Sequence, residues 1–235
     1  MSDYGPDVAA HYAAFRPSLH AVLLEKALGE GRFAFGVDVG SGTGVSTLAL
    51  TAHCDTVVGV EPSAAMRARA TPHPSVRYVD GRTDAIPLND AVADVVTLAG
   101  VLSYAHTPAT HAELRRIARP GAPVVCYDFS LDLGPLLAPF GLPPEDAPAG
   151  YDHAANLHGV PGFTAVVRAS EPVALSLTPE QQAHVLLADD VRYPLLAAQA
   201  QDADPFAWLV ARLDASTPIV ATCHWSVVTA GTLTR

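Results

Sequence analysis

Val37-Asp38-Val39-Gly40-Ser41-Gly42-Thr43-Gly44 decides the fold of this chain. An apolar run from Phe33 to Val39, broken by one acid, ends in a glycine-dense turn, and a helical pattern begins at Val45 and continues through Leu48, Ala49 and Leu50. Strand, tight turn and helix in that order open a nucleotide-binding α/β unit. Gly40, Gly42 and Gly44 supply positive φ angles and let a ligand approach the backbone. The spacing is GxGxG, and Val45 stands where a dinucleotide fingerprint would run on toward its third glycine. That glycine serves close helix packing under a pyrophosphate. Its absence points to an adenosyl ligand without a pyrophosphate.

Working outward, Thr56-Val57-Val58-Gly59-Val60 reads as a short buried strand with Glu61 at its carboxyl end. An acid there accepts hydrogen bonds from both ribose hydroxyls. A strand-end acid is common by chance, and the glycine turn before it is what gives this one meaning. Pro62 is expected to start the next helix, where a missing N–H costs nothing.

The remaining punctuation predicts alternating elements. Helical pieces are expected at 7–14 and 18–29, parted at Pro17, which drives Arg16 away from helix. Strands are expected near 33–39, 56–60, 75–80, 94–100 and 122–129, with helices at 44–53, 62–70 and 108–118. Such alternation implies a mostly parallel sheet covered on both faces. From Leu131 to Gly162 prolines and glycines break any period, and so long an irregular stretch is functional or disordered. Strand-like Phe163–Leu177 follows, then a helix from Thr178, a helix near 205–213 and a final strand, Pro218–Val228. Thr178, Pro179 and Gln181 form a start signal with a cap, a first-position proline and a capping-box partner.

Composition narrows the function classes. At 235 residues the chain reads as one domain, 1–235, and 49% hydrophobic against 16% charged residues makes most segments buried elements. A net charge of −10 argues against a nucleic-acid partner and against an anionic membrane surface. Cys54, Cys126 and Cys223 have no CxxC spacing and read as buried apolar residues of a reducing compartment. No basic, apolar leader opens the chain and no apolar run reaches ~18 residues, so a soluble cytoplasmic protein is expected. His153 with His158, and Cys223 with His224, lack a third ligand, so no metal is expected.

With these pieces in place the chain resembles the class I S-adenosylmethionine-dependent methyltransferases, and most of all the small-molecule group related to the ubiquinone-biosynthesis methyltransferases. VDVGSGTG at 37–44, VGVEPSAAM at 58–66, VDGRTDAIPLNDAVADVVTLAGVLSY at 79–104 and HAELRRIARPGAPVVCYDF at 111–129 carry the resemblance, in the family's order. HYAAFRP at 11–17 looks like that group's helix over the cofactor. The resemblance implies a Rossmann-like α/β fold: a mostly parallel seven-stranded sheet, helices on both faces and an antiparallel last strand. It implies S-adenosyl-L-methionine as cofactor, held by a core at 33–130 beneath cap helices at 1–32. Insertions at 131–162 and 178–214 would shape the acceptor site.

Residue by residue, it places the glycine turn (Asp38, Gly40, Ser41, Gly42, Thr43, Gly44) around the methionine part, with Asp38 suited to the ammonium and the helix after Gly44 offering N–H groups. Glu61 would hold the ribose, flanked by Pro62 and Met66, with Tyr12 and Arg16 closing from the amino-terminal segment. The adenine turn is Arg82-Thr83-Asp84. The family often has Asp where Arg82 stands, so Thr83 or Asp84 is expected to make the adenine contact instead. Ala99, Gly100 and Val101 would lie beneath the sulfonium.

The catalytic residue is not legible. Tyr104, His106 and Asp128 lie after the fourth and fifth strands and could face the acceptor. His11, Tyr12, His153 and His158 belong to segments that could close over it, and His106 is the first candidate. A surface or capping role is the bland alternative for each. Methyl transfer needs alignment and exclusion of water more than acid–base chemistry. The leading function is therefore methyl transfer to a small-molecule acceptor, as a monomer or homodimer. The alternative is a protein that binds S-adenosylmethionine without transferring methyl. A nicotinamide oxidoreductase shares the turn, but Asp38 inside the first strand, the GxGxG spacing and Arg119-Pro120-Gly121 stand against it.

Overall fold

A computed structural model describes residues 6–17, 19–144 and 150–231, without the side chains of Pro6, Ala9, Tyr12 and Ala13. The strands are β1 (Phe33–Val39), β2 (Cys54–Val60), β3 (Val76–Val79), β4 (Val95–Ala99), β5 (Pro123–Asp132), β6 (Phe163–Leu175) and β7 (Ile219–Ala230). The helices are α1 (Pro6–Ala14), α2 (Leu19–Leu28), α3 (Val45–Leu50), α4 (Ala64–Ala68), α5 (Leu102–Ala105), α6 (Pro108–Ile117), α7 (Gly134–Leu137), α8 (Pro179–Leu187), α9 (Arg192–Ala200) and α10 (Pro205–Val210). None of the described helices is long and apolar enough to cross a membrane.

The seven strands form one sheet in the order β3-β2-β1-β4-β5-β7-β6. The first five pair in parallel, with Val37 opposite Val58 on one side and Val96 on the other. Their valine-rich runs are what burial on both faces demands. At β7 the direction reverses. Gly121 N–H donates to Ala230 O and Ala230 N–H to Ala122 O, tying the start of β5 to the end of β7. Gly231 N–H donates to Gly162 O, so β6 also runs against β7. The fold class expected from the sequence is the one observed, with both final strands antiparallel to their neighbours.

The chain divides into two compact units. The larger comprises Leu19–Phe129, Pro148–Glu171 and Cys223–Arg235. Its core is built from Val37, Val39, Val58, Val96, Leu98, Leu114, Ile117 and Val124, each at most 2% exposed. Strand order turns back between β1 and β4, and ligands of open α/β sheets bind at the strand ends beside such a switch.

The smaller unit comprises Met1–Ser18, Ser130–Ala147 and Pro172–Thr222. In it α8, α9 and α10 pack on one another and α1 packs on α8. Thr178 caps α8 as its sequence suggests: its hydroxyl accepts Gln181 N–H, the Gln181 side chain returns to Thr178 N–H, and Pro179 opens the helix. Leu133, Leu136, Leu137, Leu186, Leu187, Leu196 and Leu209 fill this unit's core. The leucines of the proline-rich stretch are thus partly core residues, on a one-turn helix that the prolines obscure.

Two local expectations need correction. Pro62 does not open a helix, because Ser63 is the cap of α4 and its hydroxyl accepts Met66 N–H. Residues 192–200 form a helix that Pro194 masks in the sequence, although a first-turn proline loses no hydrogen bond.

Candidate functional site

The carboxyl ends of β1, β2 and β4 lie side by side, since Val39 pairs with Val60 and Asp38 with Thr97. Gly40, Gly42 and Gly44 all have positive φ, as their spacing implies. A Cβ on Gly40 would stand 2.4 Å from a methyl of Val101, and one on Gly44 would stand 2.1 Å from the Tyr78 hydroxyl. The turn therefore lies directly on β3 and on the end of β4. Gly42 differs, because a Cβ there would meet nothing within 4 Å. Its open side is a backbone surface that a ligand can cover.

Asp38 is wholly buried beneath this turn. Its Oδ2 accepts the hydroxyls of Ser46 (2.6 Å) and Thr47 (2.7 Å), and its Oδ1 accepts that of Thr97 (2.8 Å). Burial raises the carboxyl pKa, against the pull of these three hydroxyls. The geometry makes Asp38 the clamp between the first turn of α3 and β4, and it is this clamp that sets the turn. Ser46, Thr47 and Thr97 carry no signal of this in the sequence.

Glu61, 7% exposed, links the two strand ends. Its Oε2 accepts Gly42 N–H at 3.0 Å and its Oε1 accepts Ser63 N–H at 2.8 Å. Each carboxylate oxygen retains a second lone pair for another donor. The ribose-type acid of the sequence reading and the glycine turn are therefore coupled by a direct bond. Met66 is half-buried on α4 and Pro62 is exposed.

At the adenine turn Arg82 pairs with Asp84 at 2.9 and 3.3 Å, so the substitution of Arg82 is answered two residues later. That bond holds the exposed Asp84 carboxyl below its usual pKa. Thr83 Oγ1 accepts the Thr110 hydroxyl at 3.1 Å. Ala99 ends β4, and Gly100, with φ of +64°, and Val101 follow it. Tyr12 and Arg16 belong to the smaller unit; the Tyr12 side chain lies outside the described residues, and Arg16 lies in the non-helical link after α1.

These residues fit S-adenosylmethionine. The open face of Gly42 and the spare lone pairs of Glu61 offer backbone and acceptors to a ribosyl group. Ser41 Oγ and Tyr78 Oη are buried at the same turn with no hydrogen-bond partner among the described residues. Tyr78 had no signal in the sequence beyond its strand.

The other side of Gly100 holds a second cluster. Asp128 Oδ1 accepts Phe129 N–H at 2.8 Å, and its Oδ2 receives His153 Nδ1 at 2.9 Å and the Tyr151 hydroxyl at 2.8 Å. The Tyr151 hydroxyl is also 3.0 Å from Gly100 O. Burial, and then Asp128, raise the Tyr151 pKa, so this phenol stays protonated and acts as a donor. The segment carrying Tyr151 and His153 is pinned by Asp152 N–H to Ser103 Oγ (2.7 Å) and by His106 Nε2 to Asn156 O (2.9 Å). His106 thus contacts the loop and stands apart from the Asp128 cluster, and its ring meets His111 edge-on at 4.7 Å. Tyr104 is 70% exposed, and His158 Nε2 bonds Val167 O. His11 lies in the smaller unit against His184.

Beside this cluster a cavity of about 400 Å³ lies against β5, β6 and β7 and is walled by His153, Ala154, Cys126, Arg168, Ser170 and His224 among others. His224 Nδ1 bonds Ser170 Oγ at 2.8 Å, and its ring stacks toward His153 at 6.4 Å. Burial, and then His153, lower the His224 pKa. Burial pushes the Cys126 thiol up to about 12, which makes it a wall and not a nucleophile. Among the described residues no group of three His, Cys, Asp or Glu is placed to hold a metal ion.

Comparison with known proteins agrees with this geometry. A methyltransferase-domain family model matches residues 37–126. The chain is 32% identical over 97 residues to the ubiquinone/menaquinone biosynthesis C-methyltransferase UbiE of Rubrivivax gelatinosus, covering 40% of this chain and 39% of that protein. It is 32% identical over 103 residues to the demethylmenaquinone methyltransferase of Corynebacterium kroppenstedtii, covering 43% and 44%. The matches thus span about two fifths of each relative. In fold it is similar to a protein from Anaeromyxobacter dehalogenans described as a candidate type II methyltransferase (TM-score 0.59, 21% identity, 92% of this chain and 98% of that one). It is also similar to geranyl diphosphate methyltransferase in complex with SAM (TM-score 0.53, 16% identity, 98% and 92%). The [4+2]-cyclase SpnF shares the fold as well (TM-score 0.54, 16% identity, 91% and 81%).

Proposed function

We propose that this chain, which matches a methyltransferase-domain model over residues 37–126, is a class I S-adenosylmethionine-dependent methyltransferase that transfers methyl from S-adenosyl-L-methionine to a small-molecule acceptor. The observation that carries the reading is the bond from Gly42 N–H to Glu61, which joins the glycine turn to the strand-end acid in one cradle. In this reading Glu61 receives the ribose hydroxyls and the Gly40–Gly44 turn borders the methionine part. Asp38 holds that turn, and Thr83 or Asp84 meets the adenine. Ala99, Gly100 and Val101 underlie the sulfonium. Segment 150–162, which carries Tyr151 and His153 beside Gly100, borders the acceptor. When bound, the donor supplies a methyl on a positively charged sulfur with a neutral thioether as leaving group. The chain's part is to align it and exclude water.

In this reading the acceptor is a small molecule and not a nucleic acid or strongly anionic group, whose approach a net charge of −10 opposes. The names of the curated relatives bring quinone-type rings to mind as a class. The charge and the absence of a long apolar helix among the described residues fit a cytoplasmic protein off the membrane.

A second reading rests on the likeness to SpnF, a cyclase on the same fold: the donor would bind without giving up its methyl. Calorimetry with S-adenosylhomocysteine and NADH tests the cofactor, and micromolar-range binding of the former alone is expected. Incubation with methyl-labelled donor and a pool of cell metabolites then separates the two readings. Label in a product supports transfer; tight binding with no labelled product supports the second.

A further inference from the structure

We infer that His153, oriented by Asp128, is a general base, and that the cavity against β5, β6 and β7 takes a phenolic acceptor whose hydroxyl it deprotonates. This rests on the methyl-transfer reading and names its substrate class. Three observations carry it.

The first is the dyad. A carboxylate only accepts hydrogen bonds, so the 2.9 Å contact with Asp128 Oδ2 places the His153 proton on Nδ1 and leaves Nε2 free to accept one. Asp128 is itself held by Phe129 N–H and by the Tyr151 hydroxyl. The ring is thus oriented by a fixed partner, the arrangement that a positioned base requires.

The second is place. His153 lines the 400 Å³ cavity and also the small recess formed by Leu98, Gly100 and Val101. Gly100 has no side chain, and a Cβ there would stand 3.3 Å from the Tyr151 hydroxyl and 3.4 Å from Asp128 Oδ1. The base therefore stands between the acceptor volume and the strand end that underlies the donor's methyl.

The third is the wall. Cys126, Ala154, Ala155 and Ala169 give apolar surface, while Arg168, Ser170 and His224 give cationic or neutral polar groups, and no carboxylate lines the cavity. An ammonium acceptor would meet no carboxylate in that wall, and Asp128 beside it is already engaged by Phe129 N–H, Tyr151 and His153. A neutral ring needs no counter-charge, and the anion formed from it would face Arg168 and protonated His153.

Acidity then selects among hydroxyls. A phenol near pKa ~10 lies about three to four decades above an imidazole, whereas a water-like hydroxyl near ~15.7 lies about nine above it. Only the first gap suits a single imidazole. In the step, the phenolic proton passes to His153 Nε2, and the oxygen's electron pair forms the new bond to the methyl carbon. The carbon–sulfur pair stays on sulfur, and the imidazolium, stabilised by Asp128, returns its proton to solvent. Among the described residues the charged and titratable groups around His153 are Cys126 and Asp128 on β5, Arg168 on β6, His224 on β7, and Tyr151 and Asp152 on its own loop.

The probe is 1-naphthol, a two-ring phenol of suitable size, used with the full-length protein. Three measurements decide. Imidazole nitrogen NMR of the unliganded protein should show His153 protonated at Nδ1, a state lost in Asp128→Asn; an Nε2-protonated ring in the parent overturns the dyad. Added 1-naphthol should shift the His153 and His224 resonances, and unshifted resonances overturn the cavity assignment. With S-adenosylmethionine the parent should form 1-methoxynaphthalene, and His153→Gln should be slower by ~10²-fold or more and lose the acid limb of the pH–rate profile. Parent-like transfer by His153→Gln overturns the base. Product methylated on carbon, or none from a parent that binds S-adenosylhomocysteine, overturns the phenolic assignment. Should the parent bind no S-adenosyl compound, the methyl-transfer reading itself fails, and the first two measurements still judge dyad and cavity.

Discussion

Glu61→Ala tests the coupling of turn and acid most directly. In the folded chain the Glu61 carboxylate receives Gly42 N–H at 3.0 Å and Ser63 N–H at 2.8 Å. Hydrogen bonds to a charged group are worth ~1.5–3 kcal/mol each, and taking the lower end for both gives ~3 kcal/mol of lost stability. For a chain of this size ~1 kcal/mol moves the melting temperature by ~2–4 °C, so a fall of ~6–12 °C is expected without any ligand. Cofactor affinity should fall separately, by at least ~1.5 kcal/mol or roughly tenfold, through loss of the ribose acceptors. Glu61→Gln sharpens the test. It keeps one acceptor oxygen but turns an NH₂ toward a backbone N–H, so it should lose part of the stability and most of the binding. The assays are thermal unfolding of the unliganded variants and calorimetry with S-adenosylhomocysteine. A Glu61→Ala protein that melts with the parent refutes the structural half of the argument. One that also binds as tightly as the parent refutes the whole assignment.

Three further outcomes follow from other parts of the molecule. Gly44→Ala combines the ~1–2 kcal/mol cost of a left-handed non-glycine residue with ~1–3 kcal/mol of overpacking against Tyr78, and urea unfolding should show a loss of ~2–5 kcal/mol. A loss below ~1 kcal/mol would show that the turn does not need its positive φ. In the smaller unit, Leu136→Ala removes a side chain 1% exposed and should cost ~2–5 kcal/mol, read in the same way. Loss of methyl transfer at parental stability would instead make it an acceptor wall.

The last outcome concerns pH. His11 and His184 meet through Nδ1 at 3.0 Å, and burial lowers the pKa of both. The adjoining His184 lowers that of His11 further, against Asp204 and Asp7. A lowered folded pKa means that the unfolded chain takes up protons first. The stability is therefore full above the unfolded value of ~6.5 and is lost as pH falls from there through the folded values. Melting temperature should drop between about pH 7 and pH 5, less steeply in His184→Gln; an identical slope in that variant would remove the pair from the account.

What the sequence determined by itself was whatever is written locally. Val-rich strand runs, the GxGxG spacing and the Thr178-Pro179-Gln181 signal each encode a backbone state through short-range sterics and hydrogen bonds. The fold, the turn and the capped α8 follow from these. Glu61 was legible for the same reason, as an acid ending a strand. Only the tertiary structure decided what depends on parts of the chain far apart in number. The clamp on Asp38 needs Thr97, 59 residues on, and no spacing rule connects them. Tyr78 meets Gly44 only because β3 and the turn are brought together across the sheet. The same is true of the base. Among ten histidines the sequence favoured His106, and nothing local sets His153 above it. Its standing comes from Asp128, 25 residues earlier, which a separate strand carries to within 2.9 Å of its ring. A carboxylate in hydrogen-bond reach is what turns an imidazole into an oriented base, and that proximity is a property of the folded sheet alone.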